Sequence, residues 1–234
     1  MSSINDNLQA VQQAIRVAAT AVSRDPHAIT LLAVSKTFGI DAVIEATKAG
    51  QRAFGENYVQ EAVDKIIAAR ALLPTLDLDW HFIGPIQSNK TRLIAEHFDW
   101  VHSVDREKIA RRLSEQRPSH LPPLNLCLQV NVSGEASKSG AAISDTVTLA
   151  GILSTLPGVR LRGLMAIPEP TDDIAQQRAA FAKVRALFQQ CRDAGIDLDT
   201  LSMGMSADLS AAIAEGATIV RIGSAIFGKR TYAE

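Results

Sequence analysis

A lysine closes the apolar run LLAVSKT at residues 31–37. Most lysines at the end of a buried strand lay their methylenes along apolar surface and leave the ammonium in water. The alternative is a nucleophile. Desolvated or set beside another cation, Lys36 would be held as a neutral amine able to condense with a carbonyl carbon. A second candidate set lies near the other end of the chain. In GMSADLSAAIAEG (204–216), Ser206 stands where the N-cap of a helix beginning at Ala207 is expected. In RIGSAIFG (221–228), Gly223 permits close backbone approach and Ser224 offers a hydroxyl and an amide. Hydroxyls, backbone N–H groups and a helix N-terminus are the donors that a phosphate dianion requires. Taken singly, a serine cap and a Gly-Ser turn are ordinary local structure, so only their placement can raise them above it.

That placement depends on the elements around them. Residues Ile4, Leu8, Val11, Ile15, Ala18 and Val22 recur at steps of three and four, which predicts an amphipathic helix over about 4–22. Thereafter strand-like runs alternate with helical ones. The strand candidates are 30–36, 52–57, 80–84, 100–105, 125–132, 161–167, 200–205 and 218–223, eight in all. Helical patterns fill the intervals, several opened by Asp or Ser and others closed by Gly50, Gly195 and Gly216. Eight β/α alternations with no linker-like stretch, and no strand followed by GxGxxG, fit an α/β fold of the (β/α)8 TIM barrel type. The expectation is one domain spanning 1–234, with the barrel over about 30–230 and the leading helix on its floor or its flank. In such barrels the C-terminal strand ends form the active face, and a phosphate site is common after strands 7 and 8. Lys36, Ser206, Gly223 and Ser224 all fall there. A carbonyl-condensing lysine and a phosphate cradle on one face suggest pyridoxal phosphate, whose aldehyde and phosphate flank a single ring.

Composition bounds the remaining classes. The chain has 234 residues, 47% hydrophobic and 5% aromatic, enough to bury a full core. Its 24 Lys plus Arg against 25 Asp plus Glu give a formal charge of -1, which offers no electrostatic case for a nucleic-acid or anionic-membrane surface. Cys127 and Cys191 sit in apolar or amphipathic runs without the spacing of a zinc or redox motif, and both are expected to be reduced packing residues. The N-terminus lacks the pattern of a signal peptide and no stretch of about 18 apolar residues follows, so a cytoplasmic protein is expected. The Asn131-Val132-Ser133 triplet matches a glycosylation acceptor only formally.

The segments LLAVSKT, FGENYVQE, WHFIGPIQSNK, LRGLMAIP, LSMGMSADLSAAI and VRIGSAIFG together resemble the pyridoxal-phosphate homeostasis protein family, cofactor-binding relatives of the alanine racemase barrel domain. The resemblance runs from about residue 5 to 230. It implies that Lys36 holds pyridoxal 5'-phosphate (PLP) as an internal aldimine and that Ser206, Gly223 and Ser224 bind its phosphate. It implies that Arg221 faces the pyridine nitrogen, and that Asn57, Met165 and Met203 line the pocket. His81 could join them or be a hydrogen-bonded core residue beside Trp80 and Phe82.

Arg221 carries the mechanistic content of that resemblance. A guanidinium donates and does not accept a proton, so it favours an unprotonated ring, a poorer electron sink than a pyridinium. Racemisation needs acid-base groups on both faces of an α-carbon. The family's racemase relatives supply one of them as a tyrosine from a second domain, for which the chain, ending about ten residues after the eighth strand, has no room. Tyr58 opens a helix and Tyr232 lies in the tail, neither in a comparable context. The expected function is therefore vitamin B6 homeostasis: a PLP-binding monomer that buffers or delivers the cofactor, with transient contact to PLP-dependent apoenzymes and indirect effects on amino-acid and keto-acid metabolism. Two alternatives stay open, an amino-acid racemase of low efficiency and a phosphate-ester enzyme that never binds PLP. Lys138 in SGEASKSG, and Lys90 and Arg92 in QSNKTR, are assigned to no principal site.

Overall fold

Eight short parallel strands close on themselves in the computed structural model, which describes residues 3–133 and 139–228. Lys138 and Tyr232 lie outside the described residues. The strands are β1 (Thr30–Val34), β2 (Ala53–Glu56), β3 (Asp79–Phe82), β4 (Trp100–Val104), β5 (Leu124–Gln129), β6 (Val159–Met165), β7 (Thr200–Ser202) and β8 (Ile219–Ile222). Each pairs with its neighbours in sequence, and β8 returns to β1 through Thr30 opposite Ile219 and Leu32 opposite Arg221. Consecutive parallel strands need a crossover, and a helix supplies it between every consecutive pair.

All eight expected strands form, yet each stops one to three residues short of its apolar run. Apolar patterning records burial, whereas ladder pairing ends where the chain bends over the rim. Residues between the two limits, among them Lys36, Asn57 and Met205, build the upper face.

The ring of helices comprises α1 (Ile4–Ala21), α2 (Ile40–Lys48), α3 (Val59–Leu72), α4 (Thr91–His97), α5 (Glu107–Gln116), α6 (Thr146–Ser154), α7 (Ile174–Asp193), α8 (Leu209–Ala214) and α9 (Ser224–Phe227). Between barrel and ring lies one continuous apolar layer, with Trp80, Phe54, Phe82, Phe98 and Phe181 among its largest buried side chains. No helix among the described residues is long and apolar enough to cross a membrane.

The leading helix takes the flank. α1 opens on a capping box between Ser3 and Asp6 and buries Leu8, Val11, Ile15, Ala18 and Ala19 against α2, α8 and α9. The helix after the last strand would ordinarily cover this sector, but α9 is a single turn and α1 fills the gap. Asn7 Nδ2 donates to the Ile226 carbonyl at 2.8 Å, tying the two together.

Two local expectations are corrected. Ser206 is not a helix N-cap: α8 begins at Leu209 behind Asp208. The Asp208 carboxylate accepts from Met205 N at 2.6 Å and closes a turn over 205–208, which leaves Ser206 at its crest. The Gly223-Ser224 segment, read as a turn, instead opens helix α9, with Gly223 as its N-cap. Below them, Glu215 is buried between Arg178 at 2.7 Å and Arg185 at 3.0 Å, which fastens the end of α8 to α7.

Candidate functional site

A cavity of about 410 Å³ opens among the C-terminal strand ends, lined by Lys36, Asn57, Ser206, Arg221, Gly223 and Ser224 together with Val34, Phe38, Ile83, Ile167 and Met205. Six of the eight residues singled out in the sequence therefore meet in one place. Met165 and Met203 do not. Met165 is fully buried at the last position of β6, and Met203 is fully buried in the helix-facing apolar layer after β7. Ile167 and Met205, two residues further along each segment, stand at the wall instead. A hollow of similar size, about 430 Å³, lies at the opposite rim against α1, but none of the singled-out residues reaches it.

Arg221 is the deepest polar group of the site, 5% exposed within β8. Its Nη1 donates to the Ser202 carbonyl at 2.6 Å and to Ser202 Oγ at 2.8 Å, and its Nη2 donates to the Ala166 carbonyl at 2.9 Å. These bonds fix the plane of the guanidinium. Its Nε–H and second Nη2–H make no hydrogen bond among the described residues, and the cavity is the space it borders. Burial pulls its pKa down to about 10, which leaves it charged at neutral pH.

Behind Arg221 a hydrogen-bonded chain crosses the barrel interior. His102 Nδ1 on β4 lies 2.7 Å from Ser202 Oγ on β7, and His102 Nε2 lies 2.8 Å from His81 Nδ1 on β3. Ser202 Oγ accepts from Arg221, so the assignment that leaves no hydroxyl proton idle runs Ser202 O–H to His102 Nδ1 and His102 Nε2–H to His81 Nδ1. Burial holds both imidazoles neutral, drawing His81 down to about 3; burial, then His81 and Arg221, draw His102 well below its ordinary value. His81, stacked on Trp100 at 5.3 Å, is thus a core residue and not a cavity wall.

The rim supplies the remaining groups. Asn57 lines the cavity, and its Oδ1 is buried without a hydrogen-bond partner among the described residues. Gly84 packs so close that a Cβ there would stand 2.2 Å from the Asn57 carbonyl oxygen, and only glycine admits this approach. Among the described residues, the backbone amides and hydroxyls of Ser206 and Ser224 donate to no protein acceptor. A Cβ on Gly223 would press on the Val34 carbonyl at 3.3 Å, two residues before Lys36. The cavity thus sets a lysine, a fixed guanidinium, an asparagine and a group of unbonded N–H and O–H donors around one volume. Ser202 and His102 escaped the sequence reading because each matters through a partner on a distant strand. No metal-binding cluster occurs among the described residues.

Comparison with known proteins identifies the family and the fold. The family model described as alanine racemase, N-terminal domain, matches residues 7–231. A pyridoxal phosphate homeostasis protein from Pseudomonas aeruginosa is 64% identical over 232 residues, covering 99% of this chain and 98% of its own. Its namesake from Escherichia coli K12 is 53% identical over 234 residues and the full length of both chains. Among solved structures, PipY of Synechococcus elongatus PCC7942 with PLP bound aligns at a TM-score of 0.83 and 38% identity, over 97% of this chain and 100% of that one. Alanine racemase from Corynebacterium glutamicum, 16% identical, shares the fold at a TM-score of 0.67 over 95% of this chain and 62% of its own. With the family model matching nearly the whole chain and full-length relatives at 53–64% identity, the chain belongs to the pyridoxal phosphate homeostasis protein family, built on the alanine racemase N-terminal domain.

Proposed function

We propose that the chain binds PLP in the strand-end cavity through a Schiff base to Lys36, and that it stores and hands on the cofactor. The observation that carries this reading is the convergence of Lys36, Arg221, Asn57 and the unbonded donors of Ser206 and Ser224 around one cavity of about 410 Å³. PLP presents an aldehyde, a phosphate and a ring nitrogen, each needing a different partner, and when bound it supplies a reversible imine and an electron-withdrawing ring.

Lys36 Nζ supplies the bond to the aldehyde carbon. Condensation there would form one C=N bond and release one water, with no change of oxidation state, and a second amine would reverse it by exchange. Ser206 and Ser224 provide amides and hydroxyls for the phosphate, and α9 aims its N-terminus at the same cavity. Arg221 provides a donor that keeps its proton, and so favours a ring nitrogen in its unprotonated form. An electron sink weakened in this way suits retention and release better than carbanion chemistry. Delivery to PLP-dependent apoenzymes belongs to the same reading.

Borohydride reduction after incubation with PLP, followed by peptide mass spectrometry, tests it. The expected result is one adduct on Lys36, lost in Lys36→Ala, with residual non-covalent affinity because the phosphate donors remain. No adduct in excess PLP, or an adduct confined to another lysine, overturns the proposal.

A further inference from the structure

The backbone on either side of Lys36 is gripped by a buried ionic cluster that does not itself line the cavity. Lys65, on α3 and 4% exposed at its side chain, donates to Glu56 Oε1 at 2.6 Å, to the Ser35 carbonyl at 2.9 Å and to Glu61 Oε1 at 3.1 Å. Ser35 Oγ donates to the same Glu56 oxygen at 2.6 Å, and Ser35 N donates to the Gly55 carbonyl at 3.0 Å. On the far side, Thr37 N donates to Glu61 Oε1 at 2.6 Å. Thr37 adopts φ +69°, a left-handed conformation unfavourable for a β-branched residue. Such a conformation persists only where its surroundings over-determine it.

We propose that Lys65, with Glu56 and Glu61, is a positioning device that holds the strained Ser35–Thr37 turn and so directs Lys36 at the cofactor carbonyl. The inference rests on the assignment of Lys36 as the Schiff-base residue. Packing alone does not account for the cluster. Glu56 is fully buried, its Oε2 has no hydrogen-bond partner among the described residues, and replacing a buried ion pair by apolar side chains of similar volume is often neutral or stabilising. What apolar groups cannot do is grip the Ser35 carbonyl and the Thr37 amide at once, one on each side of a single residue. The direction of Lys36 depends on that grip, because a small turn of its Cα is amplified along four methylenes.

Three proteins test the idea: the parent, Glu61→Ala, whose half-exposed side chain can be removed without opening the core, and the double variant Glu56→Leu/Lys65→Met. Each is mixed with PLP, quenched with borohydride at intervals, and scored for adduct on Lys36. Affinity for pyridoxine 5'-phosphate, which lacks the aldehyde, is measured in parallel. Both variants should form adduct about tenfold more slowly, since small misplacements of a reacting group cost one to two orders of magnitude. Affinity for the aldehyde-free compound should stay at the parent's value, and the Thr37 amide should lose protection from hydrogen exchange in Glu61→Ala. Adduct formation at the parent's rate in folded variants overturns the positioning role, as does an equal loss of affinity for both compounds. Absence of adduct in the parent itself would instead sink the functional reading, and Thr37 protection unchanged in Glu61→Ala would then overturn the clamp independently.

Discussion

Acid should reveal the cost of keeping two imidazoles neutral inside the barrel. His81 and His102 are both buried, and burial draws His81 from 6.5 to about 3 and His102 well below 6.5. In the unfolded chain each takes up a proton near its ordinary value. Between about pH 6.5 and about pH 3 the unfolded state therefore binds more protons than the folded one, and stability falls as pH falls. The contribution is complete above that window and is lost on passing down through it. For one histidine with a strongly depressed folded pKa, going from about pH 7.5 to about pH 5.5 costs on the order of 1 kcal/mol, and a second histidine lowered in the same sense adds to it. His97, also lowered by burial, acts in the same sense. Glu56, Asp79 and Asp99 are raised by burial and act in the opposite sense at lower pH, because the folded state takes up their protons first. A difference measurement cancels these other groups. Urea unfolding at both pH values, for the parent and for His81→Phe/His102→Leu, should show a pH-dependent loss smaller in the variant by on the order of 1–3 kcal/mol. The same loss in both proteins would refute the neutral, buried pair and with it the chain to Arg221.

Two further substitutions probe the supports of the site. Ser202→Ala removes the hydroxyl that joins Arg221 to His102 and leaves His102 Nδ1 unpartnered; a loss of about 2 kcal/mol in urea unfolding is expected, and under 0.5 kcal/mol, by roughly that scale, would deny the bridge. Gly84→Ala places a Cβ against the Asn57 carbonyl oxygen; a stability loss of about 1–3 kcal/mol and weaker PLP binding by absorbance titration are expected, and an unchanged affinity would remove Asn57 from the site.

The sequence alone determined the barrel, since eight apolar runs separated by amphipathic helices admit few other closures. The same logic brought Lys36, Ser206, Gly223 and Ser224 to one face, because strand ends of a parallel barrel converge, whereas Asn57 and the role of Arg221 came from the family resemblance. Height and partnership were decided only by the tertiary structure. Met165 lies at the end of β6, one layer below Ile167, and a periodic pattern repeats every two residues without saying which repeat meets the rim. Ser206 lost its helix cap to Asp208 because a carboxylate two residues later reached the Met205 amide. α1 found its place because α9 is only one turn long, a fact about how much of the ring remained uncovered. The chain from His81 to Arg221 and the grip of Lys65 on Ser35 join residues 9 to 100 positions apart. Such bonds are set by closure of the barrel and leave no local signature, because a hydrogen bond depends on where two atoms finish in space and not on the neighbours each has in the chain.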